Sequence, residues 1–216
     1  AFKVGALVLL IVTLLSVVNA GMDSFQDSSG LGQVSAILCL LIMIYAAFPI
    51  AQVVRSAGDS LSSSKSNSVD FIFKDFITTN IKVLGHVTAL VALFGAICAT
   101  IGWLLNSTGM TMNVDLYGGA AYAYALPIDA TATFLEMIKL DFIGGVISDF
   151  FSWDLTGSTA TGYTIDGIVA VGYEYAQVIL ILAKLYLALA LYHFFYGIVS
   201  TLAKWVRSPF LPFKSS

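Results

Sequence analysis

Charged side chains are scarce in this chain. Asp, Glu, Lys and Arg make up 11% of its 216 residues, hydrophobic residues make up 58%, and the mean hydropathy is +0.90. A soluble domain averages roughly 25% charged and about 45–50% apolar residues. The composition therefore excludes a soluble globular protein. It predicts an all-α integral membrane protein that forms a single membrane domain over residues 1–216.

Side chains suited to catalysis or metal binding are also few. The chain has two histidines, His86 and His193, and two cysteines, Cys39 and Cys98. It contains no glycine-rich phosphate loop, no His/Cys cluster with metal-ligand spacing and no nucleophile–base arrangement. We expect no enzymatic activity and no cofactor. Because no basic stripe is interleaved with aromatic residues, we also expect no nucleic-acid partner.

Four long apolar segments account for most of the sequence. Each is about as long as a helix that crosses ~30 Å of hydrocarbon. The predicted spans cover residues 4–20, 34–54, 83–105 and 176–203. The first span has a second interpretation, because Lys3, an apolar run and Val18-Asn19-Ala20 together resemble a signal peptide with a small-residue cleavage site. We expect a retained span; cleavage would leave three spans in the same orientation.

The basic residues sort to one side of these spans. Eight of the ten Lys and Arg residues precede the first span, separate the second from the third, or end or follow the fourth: Lys3, Arg55, Lys65, Lys74, Lys82, Lys204, Arg207 and Lys214. The connections on the other side are acidic, and Lys139 is their only base. Since Lys and Arg are retained in the cytoplasm during insertion, we predict that both termini are cytoplasmic. The short loops favour a bacterial cytoplasmic (inner) membrane.

The long outer connection, residues 106–175, contains a predicted amphipathic helix. Between Thr131 and Trp153, apolar side chains recur at steps of three and four residues, and Gly144-Gly145 interrupts the pattern. We expect this helix to lie at the outer membrane interface or to pack on a neighbouring helix.

Small residues form a stripe along both the second and the third span. The segments at 31–40 and 84–93 also align with each other, formally like the inverted repeats of transporters. The stripe positions are Gly32, Ala36, Cys39, Met43 and Ala46 in the second span, and Gly85, Ala89, Ala92, Ala96 and Ala99 in the third. Small residues at this spacing let helix backbones approach closely in lipid. We predict that these helices pack against each other or against a partner.

Lys184 is the only charge well inside a predicted span, about two turns below the outer boundary. An ionisable residue there costs ~2.5–3.5 kcal/mol on insertion scales, so it should be paired, snorkelling or facing water. One interpretation is an ion or proton pathway, or a counter-charge to a ligand. The other is a snorkelling lysine, or one paired with an outer carboxylate such as Glu174.

His193 lies nine residues after Lys184, about 180° around the helix. It shares a stripe with Tyr186, Ala190 and Gly197, which is typical of a helix–helix contact. A haem with His86 and His193 as its axial ligands would require both histidines at one depth, and here the two differ by roughly 8–9 Å at 1.5 Å per residue. We therefore expect His193 to form a hydrogen bond across helices.

These features predict a non-catalytic, multi-spanning subunit of a larger membrane assembly, either a secretion or conjugation machine or an energy-transducing complex. Its partners would be the lipid bilayer and other membrane subunits. Assembly into a homo-oligomer is an alternative. The alternative is an oligomeric ion or proton channel, or a small transporter, that uses Lys184 and His193. A third hypothesis is a cofactor-carrying electron-transfer subunit, which a visible absorption spectrum would reveal.

Overall fold

The computed structural model describes residues 2–107, 128–152 and 162–207. Within these ranges nearly every residue is helical and none lies in a β-strand, so the all-α prediction is confirmed. Four helices are long and apolar enough to cross a membrane. They are α1 (Phe2–Gln26), α2 (Leu31–Ser62), α3 (Ser68–Leu104) and α6 (Ile165–Arg207). Two shorter helices, α4 (128–137) and α5 (Asp141–Ser152), lie between α3 and α6 in sequence.

The long helices extend well beyond the apolar segments from which they were predicted. Their lengths are 25, 32, 37 and 43 residues for α1, α2, α3 and α6. At 1.5 Å per residue α6 is about 65 Å long, about twice the ~30 Å hydrocarbon core. The helix α6 is therefore longer than a membrane crossing requires. A helix ends where its capping and turn residues end it, and not where its hydropathy falls.

The two short connections between the long helices are held in defined conformations. Gly30 opens α2 with φ +58°, in the left-handed region that glycine adopts without a Cβ penalty. In the connection from α2 to α3, the hydroxyls of Ser64 and Ser66 both donate to the Asp75 carboxylate, at 2.5 Å each. The serine-rich connection is therefore tied to the first turns of α3.

The long helices pack in the order α1, α2, α3, α6, each in contact with the next and antiparallel to it. Lys3 at the start of α1 lies 3.8 Å from the carboxylate of Asp59 near the end of α2, and Tyr196 of α6 bonds to Asp70 at the start of α3. The start of α1 and the last part of α6 therefore lie at the same end of the bundle as the α2–α3 connection. We call it the basic end, because it carries Lys3, Arg55, Lys74, Lys82 and Lys204.

Three clusters of buried side chains hold this row of helices together. The first joins α1, α2 and α3 through Val17, Cys39, Met43, Ala46 and Cys98. The second joins α3, α4 and α6 through Ile81, Ile128, Leu185, Ala188 and Leu189. The third joins α2 and α3 through Ile50, Val87 and Val91. In lipid such contacts stabilise the bundle mainly by van der Waals packing, because lipid tails are as apolar as the side chains.

The predicted amphipathic helix is two helices in the structure. The chain breaks at 138–140, where Lys139 has φ +63°, and the predicted interruption at Gly144-Gly145 is wrong because both glycines are helical in α5. Gly144 instead allows close packing: a Cβ atom there would lie 3.2 Å from the backbone oxygen of Ala132 in α4. Trp153, the predicted end of the amphipathic helix, lies outside the described residues.

Both short helices pack on the long ones. Ile128 of α4 belongs to the cluster formed with α3 and α6, and Phe151 of α5 packs against that cluster. The rings of Phe134 in α4 and Phe195 in α6 meet edge to face with centroids 5.2 Å apart. Packing on a neighbour was one of the two expectations for this segment; its position at a membrane interface stays a prediction.

The helices α3 and α6 approach each other closely at Gly85. A Cβ atom there would lie 2.8 Å from Leu185 Cγ and closer still to both of its methyl carbons, and Leu185 is 0% exposed, so it has no room to move. We expect Gly85→Ala to lower the free energy of unfolding in detergent by about 1–3 kcal/mol through overpacking. The control is Gly95→Ala in the same helix, where a Cβ atom meets nothing within 4 Å.

Gly95→Ala should raise stability by up to ~1 kcal/mol, since alanine is the better helix former. Thermal or denaturant unfolding of the two variants measures the difference. Equal stabilisation by both substitutions would show that α3 and α6 do not approach as closely as described.

Candidate functional site

The predicted small-residue stripes of α2 and α3 lie largely inside the bundle. Ala36, Cys39, Met43 and Ala46 are buried on α2, and Gly85, Ala89 and Ala96 are buried on α3; Gly32 and Ala92 are partly exposed. These positions are therefore occupied by contacts within the chain. Any role for them in binding a partner stays a prediction.

Cys39 and Cys98 meet across the α2–α3 interface. The thiol of Cys39 lies 3.7 Å from the carbonyl oxygen of Cys98, and the thiol of Cys98 lies 3.9 Å from the carbonyl oxygen of Cys39. Both side chains are reduced thiols, with 0% and 1% exposure. Buried thiols of this kind pack as small hydrophobes, and each donates weakly to the opposite backbone. From the sequence alone, this contact could be neither asserted nor excluded.

Lys184 is buried, with 5% exposure. Its neighbour Leu185 contacts Gly85. These two residues lie near the middle of α6 and α3, so Lys184 lies about midway along this helix pair. Its depth in a membrane stays a prediction.

The helix α6 begins well before the predicted span. The helix begins at Ile165, whereas the predicted span begins at residue 176, because Asp166 and Glu174 interrupt the apolar run. Charged side chains lower hydropathy without breaking a helix, so the hydropathy boundary does not mark the helix boundary.

The stripe formed by Tyr186, Ala190, His193 and Gly197 lies on the exposed side of α6. Tyr186 is 58% exposed, and a Cβ atom added at Gly197 would meet nothing within 4 Å. Lys184 is on the buried side of the same helix, so the structure does not bring Lys184 and His193 together.

The two histidines contact different tyrosines. The His86 ring lies 6.2 Å from the ring of Tyr186, and the His193 ring lies 6.4 Å from the ring of Tyr192. His86 is anchored by a 2.7 Å hydrogen bond between its Nδ1 and the carbonyl oxygen of Lys82, one turn earlier. This arrangement does not present two imidazoles to one metal atom.

At the basic end, two tyrosines join α6 to the start of α3. The hydroxyl of Tyr196 donates to the carboxylate of Asp70, and the hydroxyl of Tyr192 donates to the carbonyl oxygen of Phe73. Phe73 lies in a π-helical turn, Phe71–Phe76. A π-turn changes the i→i+4 bonding of the backbone and often occurs at functional positions. The only sequence signal for this contact was two tyrosines four residues apart, which place both on one face of a helix.

At the opposite end, Trp103 joins α3 to the start of α6. Its indole Nε1 donates to the carbonyl oxygen of Thr164 at 3.0 Å, and its ring stacks on Tyr163 with centroids 4.8 Å apart. The backbone N–H of Tyr163 donates to Asn106 Oδ1 at 2.9 Å. The α3–α6 pair is therefore hydrogen-bonded at both ends and close-packed between them.

Within the described part of the chain, no group of three or more His, Cys, Asp or Glu side chains is arranged to hold a metal ion. Comparison with protein-family models, curated proteins and solved structures gives no match for this chain. Its functional interpretation therefore rests on the helix faces described above.

The Tyr196–Asp70 hydrogen bond has a testable consequence for the start of α3. Tyr196→Phe should cost about 1 kcal/mol and speed amide hydrogen exchange in the segment 68–76, because it removes a donor to a carboxylate. Tyr186→Phe is the matched control on the same helix, since its exposed hydroxyl forms no hydrogen bond to any described residue. Unchanged exchange in Tyr196→Phe, or equal acceleration in both variants, would contradict this assignment.

Proposed function

We propose that this protein is a non-catalytic, multi-spanning subunit of a larger membrane assembly and that it binds its partners through helix–helix packing. The observation that carries the proposal is the exposed face of α6 formed by Tyr186, Ala190, His193 and Gly197. We call this face the α6 stripe.

The composition of the α6 stripe favours a protein neighbour over lipid. Small residues at helical spacing let a second backbone approach closely, and a histidine gives that second helix a hydrogen-bonding partner. Ala190 and Gly197 leave the backbone accessible, and the exposed imidazole of His193 can donate or accept a hydrogen bond. A partner helix would satisfy both features.

The position of α6 in the bundle also supports the proposal. Along the row of long helices, α6 lies at the edge and packs against α3 on one side. It also contacts α4 through Phe195, whereas Tyr186, Ala190, His193 and Gly197 stay exposed within the described part of the chain. In this arrangement α2 and α3 form the interior of the subunit, and α6 presents the face that joins the assembly.

The orientation belongs to the same proposal. The basic end would face the cytoplasm, since Lys and Arg are retained there during insertion, and both termini would then be cytoplasmic. A bacterial inner membrane and either a secretion or conjugation machine or an energy-transducing complex suit a small subunit of this kind. Reporter fusions at the termini and in the connection at 108–127 would test the orientation.

The α6 stripe predicts which substitutions disrupt assembly. We expect Gly197→Leu to reduce recovery of the protein in its native complex several-fold without impairing membrane insertion or lowering bundle stability, because a Cβ atom at this position meets nothing within 4 Å. Val199→Leu is the control: it adds bulk two residues away, on a different side of α6, at a residue that is 62% exposed.

Native-mass analysis of gently solubilised membranes, with the co-purifying chains identified, measures this recovery. A monomeric wild-type protein without partners, or equal recovery of both variants, would reject the α6 stripe as an assembly face.

The second candidate function is an ion or proton channel or a small transporter, and the burial of Lys184 midway along α6 favours it. Buried ionisable residues in membranes often mark ion or substrate pathways. In proteoliposomes, Lys184→Met should then change flux or its pH dependence without changing assembly, whereas Lys204→Met at the basic end should not. Identical flux in wild type and Lys184→Met would remove this candidate.

A further inference from the structure

A groove between α1 and α2 opens at the basic end of the bundle. It has a volume of about 580 Å³. Its floor consists of Ala6 and Ala51, which are 5% and 9% exposed, while Leu7 and Phe48 rise on either side at 58% and 54%. Small residues below and bulky apolar residues beside them form a trough along the helices. We call it the basic-end groove.

Charge is confined to one end of the basic-end groove. Lys3, Arg55 and Asp59 line its mouth, and the residues beyond them toward the bundle centre include Leu10 and Phe48. Lys3 lies 3.8 Å from Asp59, so these two charges offset each other. Arg55 forms no ion pair within the described part of the chain, and the mouth keeps one excess positive charge.

The apolar walls of the groove run from its charged mouth toward the middle of the bundle. Arg55 and Phe48 are seven residues apart on α2, which corresponds to about 10 Å at 1.5 Å per residue. Half of a ~30 Å hydrocarbon core is about 15 Å. A ligand whose head lies at Arg55 could therefore lay about two thirds of the depth of one leaflet of acyl chain along these walls.

We propose that the basic-end groove binds an anionic phospholipid, with the phosphate at Arg55 and Lys3 and one acyl chain between Leu7 and Phe48. An arginine guanidinium matches phosphate geometry with paired hydrogen bonds. Basic pockets between membrane helices on the cytoplasmic side bind anionic head groups for the same reason. A partner helix is a poorer match, because a trough charged at one end only complements a molecule with a single charged head. This inference rests on membrane insertion and is independent of the proposed role in an assembly.

The chain offers a charge-matched control. Lys82 lies on α3 at the level of Arg55 on α2, because each is sixteen residues from the Cys39–Cys98 contact toward the basic end. Lys82 is exposed and does not line the groove. Removal of either cation changes the net charge of the basic end equally, so any difference reports the groove itself.

The experiment measures lipid retention by native mass spectrometry. Protein in mild detergent is titrated with phosphatidylglycerol or phosphatidylcholine of identical acyl chains. We expect tighter retention of phosphatidylglycerol, and we expect Arg55→Gln to weaken it about fivefold, the effect of one basic residue near an anionic membrane surface. Lys82→Gln should retain it as wild type does, and Arg55→Lys should lose less than Arg55→Gln.

Three outcomes would overturn the proposal. Equal retention of both lipids would exclude recognition of the anionic head. Equal losses in Arg55→Gln and Lys82→Gln would show only a general attraction to the basic end. Displacement of the lipid by millimolar inorganic phosphate, with no dependence on acyl-chain length, would indicate a phosphate site without a lipid chain. If Arg55→Gln fails to insert, the salt dependence of phosphatidylglycerol retention by the wild type tests the proposal instead. Salt-independent retention would contradict a charge-based site.

Discussion

The close approach of α3 and α6 at Gly85 determines how α6 is aligned along α3. Leu185 occupies the space that any larger residue at this position would fill. With that contact in place, Tyr192 and Tyr196 reach the π-helical start of α3, and Trp103 reaches the first residues of α6. A shift of one helical turn, about 5.4 Å, would break all of these bonds together. One glycine thus couples the packing at the centre to the hydrogen bonds at both ends.

The same alignment explains how an apolar chain holds polar side chains. The cysteine thiols lie against opposite backbone carbonyls, and the tyrosine hydroxyls lie where the helices leave the apolar region. Buried polar atoms need such partners because water is absent from the hydrocarbon. Lys184 is buried about midway along α6.

Two exposed surfaces of the bundle differ in their chemistry. On α6, the exposed side carries small residues and a histidine, which suits contact with another helix. Between α1 and α2, the exposed groove carries an arginine at one end and apolar walls below, which suits an amphipathic lipid. These surfaces belong to opposite edges of the row, so a partner on α6 would not cover the groove. The two proposals therefore concern opposite edges of the row.

The sequence by itself determined the fold class, the four helices that are long and apolar enough to cross a membrane, and the small-residue positions that are buried on α2 and α3. Those properties follow from composition and from local periodicity, which the linear sequence contains in full. The tertiary structure alone decided the contact of Cys39 with Cys98, the break at Lys139 and the side of α6 that faces the bundle. Each of these depends on how far one helix is shifted and rotated against its neighbour. Hydropathy is nearly uniform along an apolar helix, so a shift of one turn leaves the pattern almost unchanged while it replaces every side-chain contact.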